Sequence, residues 1–443
     1  MVQWAGLLKP SGRLVARFVM PVTWALWRWR ATGPRGRAME TVPGSGARKA
    51  ALKMLDAVLR RGETMEQAGG AANGLPNFAD RALARAIAGE VLRWLVDLDA
   101  LIDSATAKPL PEDAKARMVL RMMLAQWLRL DTPPHAVVAT ALPLLAGGPK
   151  RLAHGVFATL TRGEARLPHI PTLPPEVAAR WGERAEPIAA GIGQPPPLDL
   201  TLRSDGTADV PEGESLALLH RRLPRGTAVE NLPGFEKGAW WVQDLAASLP
   251  ARLLGQGAGR RALDLCAAPG GKTLQLASAG WQVTALDNSS RRLERLRQNL
   301  ARTGLSADIV EADAMGWEPD GLFDAILLDA PCTATGTCRR NPDVIHRIGP
   351  RQIEAMAVLQ GQLLERAANW IAPGGTLVYA TCSLEREEGE DIASACDLTA
   401  DPLSAEELPA GIVPKPEGWV RTDPGILAEH GGMDGFFIAR WRG

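Results

Sequence analysis

The sequence has no long apolar segment, no pair of cysteines spaced for a metal and no excess of either charge. None of its apolar runs reaches the ~18 residues of a membrane-spanning helix, so we expect no membrane-embedded part. Its five cysteines are an odd number in a long chain, and no pair has C-x-x-C spacing. This argues against disulfides and against a zinc site, and for a reducing, cytoplasmic compartment.

The charge balance limits how the chain can bind other molecules. It has 50 basic and 50 acidic residues, whereas proteins that bind nucleic acid usually have a basic excess. Any contact with nucleic acid must therefore come from local basic patches. The length predicts roughly two to four domains, and the composition is typical of a globular protein.

Residues 1–42 form a basic tail. It has seven lysines and arginines before its first acid, Glu40. Two interpretations remain open. The tail is either a targeting or membrane-surface segment, or a dispensable, disordered stretch that precedes a working start at Met39.

Residues 43–166 are predicted to form a bundle of about five helices, because apolar side chains recur at helical spacing and glycine or proline ends each run. The segment resembles the NusB-like RNA-binding bundle in its helix order and in three short pieces. These are Asp80-Arg81, Val91-Leu92-Arg93-Trp94 and the closing stretch from Gly155 to Arg162. Its scattered basic residues either face RNA, as the resemblance implies, or form an ordinary solvated surface.

Residues 167–234 form a predicted α+β connector, and residues 235–443 a larger domain in which strands alternate with helices. In the connector, Leu198–Leu202 alternates like a strand and Ser215–Arg222 is predicted to be helical. The larger domain is predicted to be α/β: a Rossmann-like, mostly parallel, doubly wound sheet with ligands beyond the carboxyl ends of its strands. The predicted strands are Ala262–Cys266, Val283–Asp287, Ala307–Val310, Phe323–Asp329, Thr376–Ala380 and Phe436–Trp441.

A glycine-rich turn, Asp264-Leu-Cys-Ala-Ala-Pro-Gly-Gly-Lys-Thr273, follows the first of these strands and opens a helix. Such a turn exposes backbone N–H groups to a small ligand. A P-loop is excluded because Cys266 stands where its first glycine belongs and Pro269 has no N–H. The dinucleotide motif G-x-G-x-x-G is absent as well. The turn therefore suits S-adenosylmethionine, which has no phosphate, unless it is only a tight connection between strand and helix.

Polar side chains also follow the next strands. Asp287 comes about 20 residues after the turn, where an acid that holds ribose hydroxyls is expected. Asp313 follows the third strand, Asp329 ends the fourth, and Cys332 and Cys382 follow the fourth and fifth. Because the ends of parallel strands meet at one edge of a sheet, we expect these side chains to lie together.

The two cysteines indicate a reaction. Carbon-5 of cytosine is a poor nucleophile, but a thiolate that adds to carbon-6 makes it reactive toward a methyl sulfonium. A base must then remove the proton from carbon-5 so that the thiol can leave. Cysteines just past strand ends and near Lys272 are favoured as thiolates, and the alternative is that Cys332 and Cys382 are small core residues.

Three motifs together resemble the Sun-type RNA 5-methylcytosine methyltransferases: the turn Asp264–Thr273, Asp329-Ala-Pro-Cys332 and Thr381-Cys-Ser383. With the NusB-like front end, the resemblance is to the bacterial branch that acts on 16S ribosomal RNA. It implies that Cys382 is the nucleophile, that Cys332 assists product release, that Asp329 contacts the cytosine N3 and amino edge, and that Lys272 holds the reacting groups.

The same resemblance implies the residues that bind ligands. For S-adenosylmethionine they are Cys266, Ala267, Ala268, Pro269, Gly270, Gly271, Lys272, Asp287, Asp313 and Asp329. Arg339 and Arg340 lie in a loop that the family places near RNA phosphates. No metal is implied.

We therefore expect a monomeric RNA cytosine-C5 methyltransferase that acts on ribosomal RNA through a covalent cysteine adduct. Two alternatives are a methyltransferase of a non-RNA substrate and a non-catalytic RNA-binding factor in ribosome assembly. The chain departs from the family at Glu388-Gly389-Glu390, where relatives usually have Glu-Asn-Glu, and at Cys338, which we assign to packing.

Overall fold

The structure, a computed structural model, describes residues 43–203 and 209–443. The basic tail, with both interpretations of it, lies outside these residues. The described chain begins with a helical bundle, continues through a three-stranded sheet and ends in a large mixed sheet. No helix among the described residues combines the length and the apolar character needed to cross a bilayer.

The helical bundle forms around one apolar core that all its longer helices share. Local signals set the helix ends: Gly62 adopts a left-handed φ of 69° at the end of the first helix, and the Asn77 side chain accepts the N–H of Asp80 at 2.7 Å before the third. The helices are α1 (Ser45–Arg61), α2 (Met65–Ala68), α3 (Phe78–Arg93), α4 (Leu95–Ser104), α5 (Lys115–Arg129), α6 (Pro134–Ala141) and α7 (Gly147–Arg162).

The connector contains two short helices and an antiparallel sheet with the strand order β2-β1-β3. Its elements are α8 (Pro175–Trp181), α9 (Ala185–Ile192), β1 (Leu198–Leu202), β2 (His220–Leu223) and β3 (Trp240–Val242). The predicted helix Ser215–Arg222 is wrong, because its last residues form β2. There the Arg222 guanidinium donates to both oxygens of Asp199 on β1, at 2.7 Å each, a partner that local periodicity does not reveal.

The large sheet has the order β10-β11-β8-β7-β4-β5-β6, and β9 pairs with β11. Strands β4 to β8 run parallel to one another, whereas β11 is antiparallel to β8. The strands are β4 (Arg261–Leu265), β5 (Gln282–Asp287), β6 (Asp308–Glu311), β7 (Phe323–Asp329), β8 (Ile371–Thr381), β9 (Thr399–Ala400), β10 (Val420–Thr422) and β11 (Phe436–Arg442).

Helices cover both faces of this sheet, since alternate residues of one strand join different apolar clusters. Leu327 of β7 packs in a cluster with α10 and α11, whereas its neighbours Ile326 and Leu328 pack in another with α14. The helices are α10 (Leu245–Arg252), α11 (Gly271–Ser278), α12 (Ser290–Thr303), α13 (Val344–Arg347), α14 (Pro350–Asn369) and α15 (Glu390–Ser394). The predicted Rossmann-like α/β fold behind a helical bundle is confirmed.

The strand order also locates a crevice. From β4 the chain moves outward through β5 to β6, and then returns to place β7 on the other side of β4. The connections after β4 and β7 therefore diverge, which opens a crevice at the carboxyl ends of these two strands. The glycine-rich turn follows β4, and Asp329 ends β7, so both lie at this crevice.

Candidate active site

The glycine-rich turn has a backbone that few residues can adopt. Cys266, directly after β4, has φ of 63°, and Gly270 has φ of 106°. A Cβ at Gly270 would also lie 2.2 Å from Cδ1 of Leu296 on α12. Any other residue at position 270 would strain the backbone and clash with Leu296, so glycine is required there. This turn allows α11 to begin at Gly271.

Behind the turn lies Asp264, a fully buried acid that the sequence prediction does not include among the site residues. Its Oδ2 accepts the hydroxyl of Thr273 at 2.6 Å, and its Oδ1 has no partner among the described residues. Burial raises the pKa of Asp264 to about 7, and the neighbouring carboxylate of Asp329 adds to the shift. The feature of the sequence that could have identified Asp264 is its position inside an apolar strand, where a charged side chain is unusual.

The predicted ribose-binding acid, Asp287, braces the turn from the side of β5. Its Oδ2 accepts the N–H of Ala268 at 3.1 Å, and its Oδ1 accepts the N–H of Ser289 at 2.9 Å. Asp313 is exposed after β6, where its Oδ1 accepts the N–H of Met315 at 3.0 Å. The roles of both acids toward a ligand stay predictions.

Lys272 and Asp329 form an ion pair across the crevice. The Lys272 Nζ lies 2.7 Å from Asp329 Oδ2, and its side chain is 10% exposed against 30% for the aspartate. The ammonium also lies 5.2 Å from the centre of the Phe436 ring. The pair joins the first turn of α11, which follows β4, to the end of β7. It therefore lies where a site between β4 and β7 is expected.

The two cysteines that follow β7 and β8 are in contact. Cys332 Sγ and Cys382 Sγ are 3.4 Å apart, and the N–H of Gly336 donates to the Cys382 carbonyl at 3.0 Å. A Cβ at Gly336 would lie 2.0 Å from the carbonyl oxygen of Gly435, so only glycine lets these segments meet. The prediction that both sulfurs lie at one point of the rim agrees with this geometry.

The surroundings of Cys332 oppose the predicted thiolate state. Its hydrogen bond with Cys382, together with burial, raises the pKa of Cys332 well above its usual value and so favours the thiol. Lys272 does not offset this, because its ammonium is paired with Asp329. Burial also raises the pKa values of Cys266 and Cys338 to about 12, and Cys338 is fully buried in an apolar cluster.

A buried glutamate, Glu388, holds the two cysteine segments together, and the sequence prediction misses this role. Its carboxylate accepts the N–H of Thr333 at 2.9 Å, the Thr333 hydroxyl at 2.5 Å and the side-chain N–H of Gln360 at 3.2 Å. Its carbonyl accepts the Tyr379 hydroxyl at 2.8 Å. Burial raises the pKa of the Glu388 carboxyl. The signal in the sequence is weak, since Glu388 lies in an acidic run.

The two arginines predicted to meet RNA phosphates have different environments. Arg339 is fully buried and donates to Asp244 at 2.8 Å, to Asp434 at 3.1 Å and to the Gly431 carbonyl at 2.7 Å. It cannot reach a phosphate, so that assignment is corrected: Arg339 is structural. The Arg340 side chain is 42% exposed and pairs with Asp434, and it stays a candidate.

A separate cavity of about 390 Å³ lies between the connector sheet and the carboxyl-terminal ends of α10 and α11. It is lined by Leu218, Trp241 and Arg252 among others, and by none of the predicted site residues. We place the chemistry at the crevice instead, because the thiols and the ion pair lie there.

Comparisons with known proteins match both halves of the chain. A family model described as 16S rRNA methyltransferase RsmB/F matches residues 251–442, and a NusB family model matches residues 45–146. The chain is 34% identical to the ribosomal RNA small subunit methyltransferase B of Pseudomonas syringae pv. tomato, over 89% of this chain and 96% of that protein. The Xylella fastidiosa (Temecula1) protein of the same name is 35% identical, over 90% and 98%.

Among solved structures, the crystal structure of PH0851 has a similar fold. Its TM-score is 0.67 at 21% identity, with 90% of this chain and 98% of that chain covered. At that identity the likeness supports the fold alone.

Proposed function

The chain belongs to the RsmB/F family of 16S rRNA methyltransferases, and from that premise we propose that it methylates carbon-5 of a cytosine in 16S ribosomal RNA, with S-adenosylmethionine as the methyl donor. Family membership supports methyl transfer to ribosomal RNA. The contact between Cys332 and Cys382, at 3.4 Å, is the observation that favours cytosine carbon-5 as the target.

The crevice residues fit S-adenosylmethionine. Asp287, Asp313 and Asp329 lie at or just after the ends of β5, β6 and β7. Their carboxylates suit the hydroxyl groups and the positive charge of this molecule. Residues 266–272 and these three acids would hold it. When bound, S-adenosylmethionine supplies an electrophilic methyl group. Behind the turn, Asp264 has an oxygen without a partner among the described residues, a further acceptor on the same side.

In the first step, Cys382 acts as the nucleophile. The target cytosine leaves its stack and enters the crevice, and the Cys382 sulfur bonds to carbon-6, which makes carbon-5 nucleophilic. Asp329 contacts N3 and the amino group of the base, and Lys272 keeps the Asp329 carboxylate in place through its 2.7 Å ion pair. Cys332, a thiol, donates a hydrogen bond to the attacking sulfur.

In the second step, Cys332 acts on the methylated adduct. Once the Cys382 sulfur is bonded to carbon, it carries no negative charge and is a weak acceptor. Two of the causes that raise the pKa of Cys332, this hydrogen bond and the charge of Cys382, are then removed. Cys332 can therefore release its proton to water and, as a thiolate, take the proton from carbon-5. The electrons of that C–H bond form the double bond between carbon-5 and carbon-6, the bond between carbon-6 and sulfur breaks, and Cys382 leaves as a thiolate, which frees the product.

A Cys332→Ala variant tests this division of roles. We expect a covalent RNA–protein adduct to accumulate, because the adduct forms through Cys382 but is not resolved. Electrophoresis under denaturing conditions, with 16S rRNA and S-adenosylmethionine, would detect it. The double variant with Cys382→Ala is the control and should form none. Full turnover of Cys332→Ala without an adduct would contradict the proposal. Bisulfite sequencing of 16S rRNA would identify the cytosine that is methylated.

The two alternatives are less well supported. Membership in an enzyme family weighs against a non-catalytic assembly factor, and the relatives named for ribosomal RNA weigh against a non-RNA substrate. Ribosomal RNA as the partner is part of the proposal. A monomeric state and a cytoplasmic location stay predictions.

A further inference from the structure

The loop after Cys332 is attached to the helical bundle as well as to its own sheet. Arg93, the last residue of α3, donates from both Nη1 and Nη2 to the carbonyl oxygen of Arg339, at 3.1 Å each. Its Nη1 also donates to the Ile192 carbonyl at 2.6 Å. Arg93 is 4% exposed and Arg339 is fully buried, so water does not compete for these bonds.

The Arg93 guanidinium is itself held in a fixed orientation. Its Nε lies 3.2 Å from Glu90 Oε1, and the other oxygen of Glu90 lies 3.0 Å from Arg129 Nε. Arg129 Nη2 in turn donates to the Gly193 carbonyl at 2.9 Å. Each charged group of this buried network has an opposite charge as its partner. These pairs keep the N–H groups of Arg93 directed at the carbonyl of Arg339.

The two side chains next to that peptide are also held. The Arg339 side chain pairs with Asp244 and with one oxygen of Asp434. Arg340 pairs with the other oxygen of Asp434, and its side chain is 42% exposed. Earlier in the same loop, Gly336 bonds to the Cys382 carbonyl at 3.0 Å. A shift of the Arg339 carbonyl would therefore displace the loop that carries Cys332 relative to Cys382.

We infer that Arg93 and Glu90 of the helical bundle are positioning residues of the active site. They hold the Arg339 carbonyl, and with it the loop from Cys332 to Arg340, in the register that brings the two thiols together. The helical bundle thus acts on the chemical step without touching the reacting base. The inference rests on the proposed function, since the reaction provides one of its readouts.

Arg93→Lys removes the paired donors and keeps the charge. At saturating RNA we expect kcat to fall by about 10-fold to 100-fold, since small misplacements of reacting groups have effects of this size. The KM for RNA and the affinity for RNA should change by less than about 2-fold, because no RNA contact is removed. Arg85→Lys, on the exposed side of the same helix, is the matched control and should leave kcat unchanged.

Hydrogen exchange gives a readout that does not depend on activity. In Arg93→Lys, the amides of residues 332–343 should exchange faster than in the wild type, including the Gly336 N–H that bonds to Cys382. Glu90→Gln, which weakens the orientation of Arg93 without removing it, should produce a smaller change of the same kind. It also serves as the second variant if Arg93→Lys folds poorly.

Three results would overturn the inference: an unchanged kcat, a loss confined to KM, or unchanged exchange in residues 332–343. A loss confined to KM would mean that the helical bundle acts through RNA binding. If the wild-type protein does not methylate ribosomal RNA while exchange still responds as expected, the proposed function fails and the positioning role of Arg93 stands.

Discussion

At the scale of a single residue, Asp264 shows how burial changes an acidic side chain. It is fully buried under the glycine-rich turn, one carboxylate oxygen bonds to Thr273, and the other has no partner among the described residues. A carboxylate in this position is poorly solvated, which is why its pKa is raised to about 7. The acid is therefore partly protonated near neutral pH, unlike an exposed aspartate.

This environment predicts a pH dependence of stability. The pKa of Asp264 is about 7 in the folded protein, against ~3.9 in an unfolded chain, so the folded state binds the proton more tightly. Its contribution to stability is fully present below pH ~4 and is lost as the pH rises through ~7. Urea unfolding of Asp264→Asn between these pH values should show a smaller decline than the wild type. Equal declines would contradict the raised pKa.

Gly389 is a position where the sequence departs from the pattern expected for the family, and the structure relates this departure to Arg421, which is distant in the sequence. A Cβ there would lie 2.3 Å from Arg421 Nη2 and 2.8 Å from Cγ of Phe437, so the asparagine that the family resemblance leads us to expect does not fit. Arg421 occupies this space because it pairs with Glu390 and donates to the Ser383 carbonyl beside Cys382. The sequence reveals the substitution, but only the structure gives its reason.

At the scale of elements, the sequence predicts well those features that depend on residues close together in the chain, and poorly those that depend on distant residues. The predicted bounds of β7, Phe323–Asp329, match the structure, because a continuous apolar run determines them locally. The strand-end rule likewise brings Asp329, Cys332 and Cys382 to one rim. The prediction fails at β2, where a partner on another strand decides the conformation, and Glu388 is missed because Thr333 lies far away in the sequence.

The junction at Gly336 gives a prediction for a loop rather than for one side chain. In Gly336→Ala the new methyl group would meet backbone oxygens of Gly435 and Cys382, so the loop must move away from Cys382. We expect methyl transfer to fall by about 100-fold, with a loss of about 1–3 kcal/mol in the free energy of unfolding. Initial rates and urea unfolding would measure the two effects.

Gly155→Ala is the matched control for this variant. Gly155 lies inside α7, and a Cβ there would have no atom within 4 Å. The substitution should leave methyl transfer unchanged and raise stability by about 1 kcal/mol through helix propensity. If Gly336→Ala were as active as Gly155→Ala, the junction would not control the distance between the thiols.

At the scale of the whole molecule, many of the balanced charges pair with each other inside the protein. Buried ion pairs occur throughout the described chain, including Arg93 with Glu90, Arg222 with Asp199 and Arg339 with Asp434. Many arginines that composition alone would assign to a solvated or RNA-binding surface are thus structural. This is why counting charges could not separate Arg339 from Arg340, although they are adjacent in the sequence.

The links between the helical bundle and the large sheet predict cooperative unfolding. Besides Arg93, the His346 ring nitrogen lies 2.7 Å from the Leu92 carbonyl oxygen, and the Met65 N–H donates to Asp343 at 3.3 Å. Because the Arg93 bonds are buried and the other two are partly buried, neither part should unfold without exposing unpaired polar groups of the other. Calorimetry should therefore show one transition, and two well-separated transitions would contradict this expectation.

The closeness of the two sulfur atoms has a practical consequence for handling the protein. They are 3.4 Å apart and need to approach by only about 1.4 Å to reach the ~2.05 Å of a covalent disulfide bridge. A peroxide would accept the two hydrogens and form water, and the product would be a bridged, inactive protein. Preparations treated with hydrogen peroxide should therefore lose activity, and a reducing agent such as dithiothreitol should restore it.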